Sequence, residues 1–339
     1  MFGPVLEISA AKGTVPVMTG VYADAIEAFW LEWPQLRKDI EKELTARDYG
    51  SGTDRLTDLV EAIDPGLEWD LMPGIDARHA LCLSAASDPA LRPVTEQWVR
   101  GSPGRDSAWE YHPARIPVPA AAPLTVGEIR IQPQDVSVVI EPDQTREELN
   151  LTIGHPDFGA LDEVLQLQVA FRLLDDLLGE DAMEVWIGSV DVVPHSLGWG
   201  VPLLDLPEAV GLLIASSTGR QWEYVDLDDP DLGESRLYIN RALKRVDYLD
   251  FTFAVIVSIE IPSEDRVLVR EVEKDLAATL GSEGVIYAHR VFGDFTVLYA
   301  YVGEEVSEEV RSLAERWTPN VYEIRVEPDA GWDVYEEMR

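Results

Sequence analysis

The run Phe251-Thr252-Phe253-Ala254-Val255-Ile256-Val257-Ser258-Ile259-Glu260-Ile261 decides how this chain is read, because every odd position in it is apolar. Successive side chains of a strand point to opposite faces, so Phe251, Phe253, Val255, Val257, Ile259 and Ile261 form one apolar face. The other face, from Thr252 to Glu260, is mixed, as suits an antiparallel sheet with helices on one side. Working outward, Ser263 opens a helical pattern with Val269, Val272, Leu276 and Leu280 inward and Gly281 as its stop. Two strand-like runs, 285–292 and 295–302, flank Gly293-Asp294, a two-residue hairpin signal. Val306, Val310, Leu313 and Trp317 recur at helical spacing, and Tyr322, Ile324 and Val326 alternate. The order β-α-β-β-α-β predicts a ferredoxin-like unit within an α+β protein.

Upstream of this unit the chain reads as two further segments: an N-terminal helical arm over 1–65 and a central α+β domain over 66–217, leaving 218–339 as the C-terminal domain. In the arm, Ile26, Phe29, Trp30 and Trp33 lie at i, i+3, i+4 and i+7, and Pro34 is expected to kink or restart the helix. A second helix is expected over 54–63, capped by Thr53. Trp30 and Trp33 are either the packing face of the arm or a docking face by which the chain is recruited as a structural subunit. In the central domain the strongest helical pattern covers 160–178: Leu161, Val164, Leu167, Phe171, Leu174 and Leu178 recur at three- and four-residue spacing, and Val169, Leu173 and Leu177 fill the flank. A helix apolar on most sides is expected to be buried across a sheet. A strand, turn, helix and Trp-bearing strand occur over 78–117 and again over 149–194, as two divergent β-α-β copies would. Trp109 and Trp186 hold matching places in the two spans.

The net charge is −36, from 63 acidic and 27 basic residues, and the cations are 22 Arg against five Lys. Such a field repels nucleic acid and anionic lipid, whose binding needs Lys and Arg to neutralise phosphate. It attracts basic partners and speeds their encounter. Two readings of the acidity stand side by side: solubility or adaptation to salt, and a surface made for a basic protein. Cys82 is the single cysteine, so no intrachain disulfide forms and no cysteine metal site is expected. The N-terminus lacks the pattern of a signal peptide, and no apolar run approaches the length of a membrane span. The expected setting is the cytoplasm.

Chemistry-bearing motifs are sparse. His79, His112, His155, His195 and His289 are scattered without metal-ligand spacing, and neither a Walker A loop nor GxSxG, GxGxxG or HExxH occurs. No cofactor is expected. The acidic stretch from Asp226 to Glu234 places Pro230 and Asp231 where a calcium loop needs an oxygen ligand and a glycine, so it reads as a solvated turn. Arg236, Arg241, Lys244 and Arg245 form the one basic cluster, suited either to balancing that turn or to gripping a partner's carboxylate or phosphate. Trp332 and Tyr335, three apart, share one helical face and are either a seal on the sheet edge or an aromatic anchor for a partner.

Trp222-Glu-Tyr224 opens the last third of the chain and Asp329 to Tyr335, an Asp-x-x-Trp-x-x-Tyr signature, closes it. From about Gly219 onward the chain resembles a bacterial family of domains of unknown function carrying these two motifs. Leu67-Glu-Trp69 and Trp109-Glu-Tyr111 are landmarks of the same architecture upstream and imply no activity. That family is similar to the ribonuclease E inhibitor, regulator of ribonuclease activity B, a small acidic ferredoxin-like protein. The resemblance implies a non-catalytic, regulatory protein-binding module acting on a basic partner, in the manner of a nuclease inhibitor or an immunity protein. Binding residues are expected among Trp332, Tyr335, Arg241 and Arg245. The alternative is a hydrolase-type enzyme with its site between the central and C-terminal domains, near His112, His155 or His195.

Overall fold

The computed structural model describes residues 21–48, 50–118, 122–229, 233–260, 266–303, 310 and 321–339. The protein is mixed α+β, and its contacts divide it into two units. The first holds Tyr22–Asp88 and Val94–Gly219; the second holds Arg220–Arg339 and the short segment Pro89–Pro93. No helix among the described residues is long and apolar enough to cross a membrane.

The helical arm belongs to the first unit, and aromatic packing is the reason. Helix α1 (Ala23–Ala46) buries Phe29, Trp33, Leu36 and Ile40. Trp33 Nε1 donates to the Tyr111 hydroxyl at 2.6 Å, and Trp30 Nε1 donates to the Trp98 carbonyl at 2.7 Å. Both tryptophans are thus packing residues of this unit. The helix does not restart at Pro34: one helix runs through it. Trp33 and Leu36, on either side, anchor both halves to one core, which outweighs the roughly 3 kcal/mol that an interior proline costs. Helix α2 (Ser51–Ile63) starts earlier than expected, and Thr53 is not its cap. Glu43 of α1 takes that role, accepting the Gly52 N–H at 2.6 Å and the Thr53 N–H at 3.1 Å.

Two sheets with the same local plan follow. Strand β1 (Glu68–Pro73) pairs antiparallel with β2 (His79–Ser84), and α3 (Arg92–Arg100) leads to β3 (Trp109–His112), parallel to β2. A small hairpin, β4 (Leu124–Val126) with β5 (Ile129–Ile131), comes next. Then β6 (Ser137–Asp143) pairs antiparallel with β7 (Glu148–Gly154), and helices α4 (Glu163–Leu178) and α5 (Glu180–Trp186) lead to β8 (Ile187–Val193), parallel to β7. The two spans with matching sequence patterns are therefore both β-α-β units with neighbouring parallel strands. Trp186 closes α5 instead of lying in the returning strand. The short β9 (Val201–Pro202) adds to β6, and α6 (Leu206–Ser216) ends the unit.

Helix α4 buries only part of the expected stripe, Leu174 and Leu178. Val169, Ala170, Leu173 and Leu174 face the core, whereas Val164, Leu167 and Phe171 are exposed, Phe171 by 41%. The winning face contains polar Gln166, which is buried because its side-chain amide donates to the Leu161 carbonyl at 2.8 Å. Asp162 caps this helix, accepting the Leu165 N–H.

The second unit is built on six antiparallel strands: β10 (Trp222–Asp229), β11 (Gly233–Asn240), β12 (Phe253–Glu260), β13 (Gly284–Phe292), β14 (Phe295–Val302) and β15 (Val321–Pro328). Their order in the sheet is β10-β11-β13-β14-β12-β15. Helix α7 (Arg266–Leu280) crosses β13 and β14, packing Val272, Leu276 and Leu280 onto Val255, Val257, Leu298 and Ala300. Val310 joins that core; Ile261 and Ser263, and Val306, Leu313 and Trp317 of the expected second helix, lie outside the described residues. On the opposite face, Leu237, Ile239, Ile256, Tyr287, Tyr299 and Tyr301 form a second core, closed by the short helix α8 (Asp333–Met338). A register shift between Ile286 and Ala288 lets consecutive residues Tyr287 and Ala288 both enter this core.

Candidate functional site

Of the acidic stretch read as a turn, Asp226 to Asp229 and Gly233 to Glu234 are strand, while Pro230 and Asp231 lie outside the described residues. Trp222 to Asp229 and Gly233 to Asn240 pair residue for residue, with Tyr224 opposite Tyr238, Asp226 opposite Arg236 and Asp228 opposite Glu234. Alternation then sends Val225, Leu227, Leu237 and Ile239 into the α8 core. Trp222, Tyr224, Asp226 and Asp228 of β10 share the other face with Glu234, Arg236 and Tyr238 of β11. The sheet continues here beyond β13 and β14, the strands that α7 contacts most.

On that open face three rings form a continuous stack. Tyr238 lies between Trp222, at a centroid distance of 4.8 Å, and Tyr224, at 4.2 Å, with planes 28° and 23° from parallel. The row runs on to His289 of β13, 4.9 Å from Tyr238. Burial lowers the His289 pKa, against the opposing pull of Glu273 on α7, and so favours the neutral imidazole. Tyr224 is 66% exposed and Trp222 39%. At the far end of the row Arg236 Nε donates to Asp226 Oδ1 at 2.8 Å. The face therefore combines an exposed, preassembled aromatic ledge with three carboxylates, one of which already holds an arginine.

The residues expected to bind a partner lie elsewhere and point inward. Trp332 and Tyr335 are 1% and 0% exposed. Trp332 Nε1 donates to the Phe251 carbonyl at 2.8 Å, and the Tyr335 hydroxyl donates toward the Asn240 carbonyl at 3.0 Å. They cover the face of the sheet, not its edge, and a partner cannot touch them without unpacking α8. Arg241 pairs with Glu223 at 2.7 Å and also donates to the Arg339 carbonyl. Arg245 is buried and donates to the Pro89 carbonyl at 2.9 Å. The basic cluster is thus part of the framework of the unit, with Arg236 its one strongly exposed member among those described.

Other ionisable groups have evident structural duties. Burial raises the Glu110 pKa, but the N–H groups of Ile75, Asp76 and Ala77, together with His112 at 3.1 Å, outweigh it and hold the carboxyl down to about 2. His112 and Glu110 are a histidine–carboxylate pair, yet the carboxylate is spent on organising the 74–77 loop. Glu147 accepts from the Ser217 and Thr218 hydroxyls and from the Thr218 and Gly219 N–H groups. Burial raises the carboxyls of Asp175 and Asp176, and Asp176 is paired with Arg172 at 3.0 Å. The Cys82 thiol is pushed up to about 12 by burial. His155 is buried, and its Nδ1 accepts the Asp157 N–H at 3.1 Å. Among the described residues no group of three or more His, Cys, Asp or Glu is placed to hold a metal ion. Open clefts of about 290 to 600 Å³ lie along α1 and α2, and their linings contain no histidine.

Comparison with protein-family models, with curated proteins and with solved structures returns no match to this chain. The reading of its function therefore rests on its own residues.

The ledge is the one candidate surface that reading the sequence did not single out. A signal was present: Trp222, Tyr224, Asp226 and Asp228 alternate, and Gly233, at φ 72°, is a turn residue.

Proposed function

We propose that this protein is a non-catalytic binding or regulatory module that captures a basic protein partner, in the manner of a nuclease inhibitor or an immunity protein. The observation that carries this reading is the β10–β11 hairpin, which presents Asp226, Asp228 and Glu234 on an open sheet face of a chain with net charge −36. Fields of that sign concentrate cationic partners and accelerate their encounter, while disfavouring nucleic acid and anionic membrane. The reading includes a cytoplasmic setting and a ferredoxin-like βαββαβ core in the second unit. The antiparallel strand order β15-β12-β14-β13, with α7 between β12 and β13, supports that core.

The test is a pull-down with the tagged full chain at low salt, eluted with rising salt, beside the variant Asp226→Asn/Asp228→Asn/Glu234→Gln. Basic proteins that saturate the wild type, elute at moderate salt and fail to bind the variant are the expected result. Retention indifferent to salt, or unchanged by neutralising the hairpin, overturns the proposal.

A further inference from the structure

Most exposed strand extensions in an acidic protein would display charge alone; this one displays charge around an aromatic stack. We infer that the ledge of Trp222, Tyr224 and Tyr238 is the docking surface for an arginine side chain of the basic partner, with the guanidinium over an outer ring face and paired to Asp226. The inference rests on the reading of the protein as a binder of basic proteins and names the chemistry that surface selects.

Three observations converge on arginine. The rings are stacked on one another in the free protein, at 4.2 and 4.8 Å, so Tyr238 holds Trp222 and Tyr224 in place and their outer π faces need no ordering on binding. A cation over such a face is attracted by the ring quadrupole, most strongly over Trp. The same face carries the carboxylate of Asp226 two residues along β10 from Tyr224, about 6–7 Å on at the rise of a strand, a spacing that suits a planar fork that stacks and hydrogen-bonds at once. The chain already demonstrates the pairing at this place: Arg236 donates to Asp226 beside Tyr224. An apolar peptide would gain nothing from the carboxylate, and a lysine would pair with it without using the rings as fully. Charge complementarity with a chain of net charge −36 selects the cationic occupant.

The experiment measures binding of the full chain to fluorescent oligoarginine and oligolysine peptides of equal length, by anisotropy at low and at physiological salt. Wild type is expected to prefer oligoarginine by about three- to tenfold, the size of one or two cation–π contacts. Trp222→Ala/Tyr224→Ala is expected to bring the ratio close to one while leaving salt-dependent binding to both peptides, and Tyr224→Phe, which keeps the ring, is expected to retain the preference. Tyr224→Leu keeps packing area without a π face and is expected to lose most of it, which separates recognition from stability; thermal melts identify any variant that has unfolded. No preference in wild type, or a preference that survives removal of both rings, overturns the inference while leaving the wider reading intact. Failure of wild type to bind either peptide at low salt sinks both.

Discussion

The indole of Trp332 lies flat on the phenol of Tyr301, with ring centroids 4.1 Å apart and planes 2° from parallel. Tyr335 meets the edge of Tyr287 at 5.2 Å, and the Tyr301 hydroxyl donates to Asp329 at 2.5 Å. Trp332 itself sits at φ 61°, a left-handed conformation that a bulky residue adopts only when its surroundings hold it there. Replacing it with Ala should destabilise the second unit by about 3–5 kcal/mol, the usual cost of deleting a large buried aromatic. Urea unfolding followed by tyrosine fluorescence and circular dichroism checks this; a loss below about 1 kcal/mol would show that α8 is dispensable to the core.

Glu147 joins two strained or exposed pieces of chain: its own backbone is left-handed at φ 52°, and its carboxylate gathers residues 217–219. Glu147→Gly relieves the backbone but removes the acceptor, so the two effects oppose each other. The carboxylate receives hydrogen bonds from two hydroxyls and two N–H groups, and its loss should dominate, by about 1–3 kcal/mol. Limited proteolysis should then cut faster near 217–219 in Glu147→Gly and in Glu147→Ala. Unchanged cleavage in both would refute the tether.

Acid should find Glu110. Its folded-state pKa of about 2 lies below the usual carboxylate value, so its contribution is fully present above pH 4.5 and fades as pH falls toward 2. Glu110→Gln should therefore be less stable than wild type at pH 7, and the gap should narrow between pH 4.5 and 2. Denaturation midpoints across that range provide the measurement. A gap that stays constant with pH would mean that the three N–H groups at 75–77 do not distinguish the charged from the neutral form.

The exposed stripe of α4 makes a paired prediction. Phe171→Ser should change stability by no more than about 0.5 kcal/mol, as surface substitutions do. Leu174→Ala, three residues on, should cost about 2–5 kcal/mol because its side chain is fully buried. The opposite ranking in thermal melts would show that the side of α4 bearing Phe171, and not that bearing Leu174, faces the core.

That contrast marks where the sequence was legible. Residues 253–260 alternate so strictly that their strand, its apolar face and its helix-covered side could be read directly. Helix 163–178 could be located but not oriented, since apolar residues lie on nearly every side and the buried face includes Gln166 and Asp176. Those two polar residues are tolerated on the buried face because Gln166 donates to the Leu161 carbonyl and Asp176 pairs with Arg172 one turn back, which composition does not reveal. Trp332 and Tyr335 were recognised as a pair, whereas their hydrogen bonds to Phe251 and Asn240 span 81 and 95 residues. The ledge was missed because its members belong to two strands, and only the pairing of Tyr224 with Tyr238 brings them together.

The contact between Trp332 and Phe251 also sets a clock. During synthesis the sheet face bearing Tyr287 and Tyr301 emerges from the ribosome before the residues that cover it. Until they arrive it is an uncovered apolar surface, of the kind that draws chaperones or neighbouring nascent chains. The second unit is thus completed after translation of its strands, and any slowing of the ribosome between codons 302 and 332 lengthens the time that face stays bare.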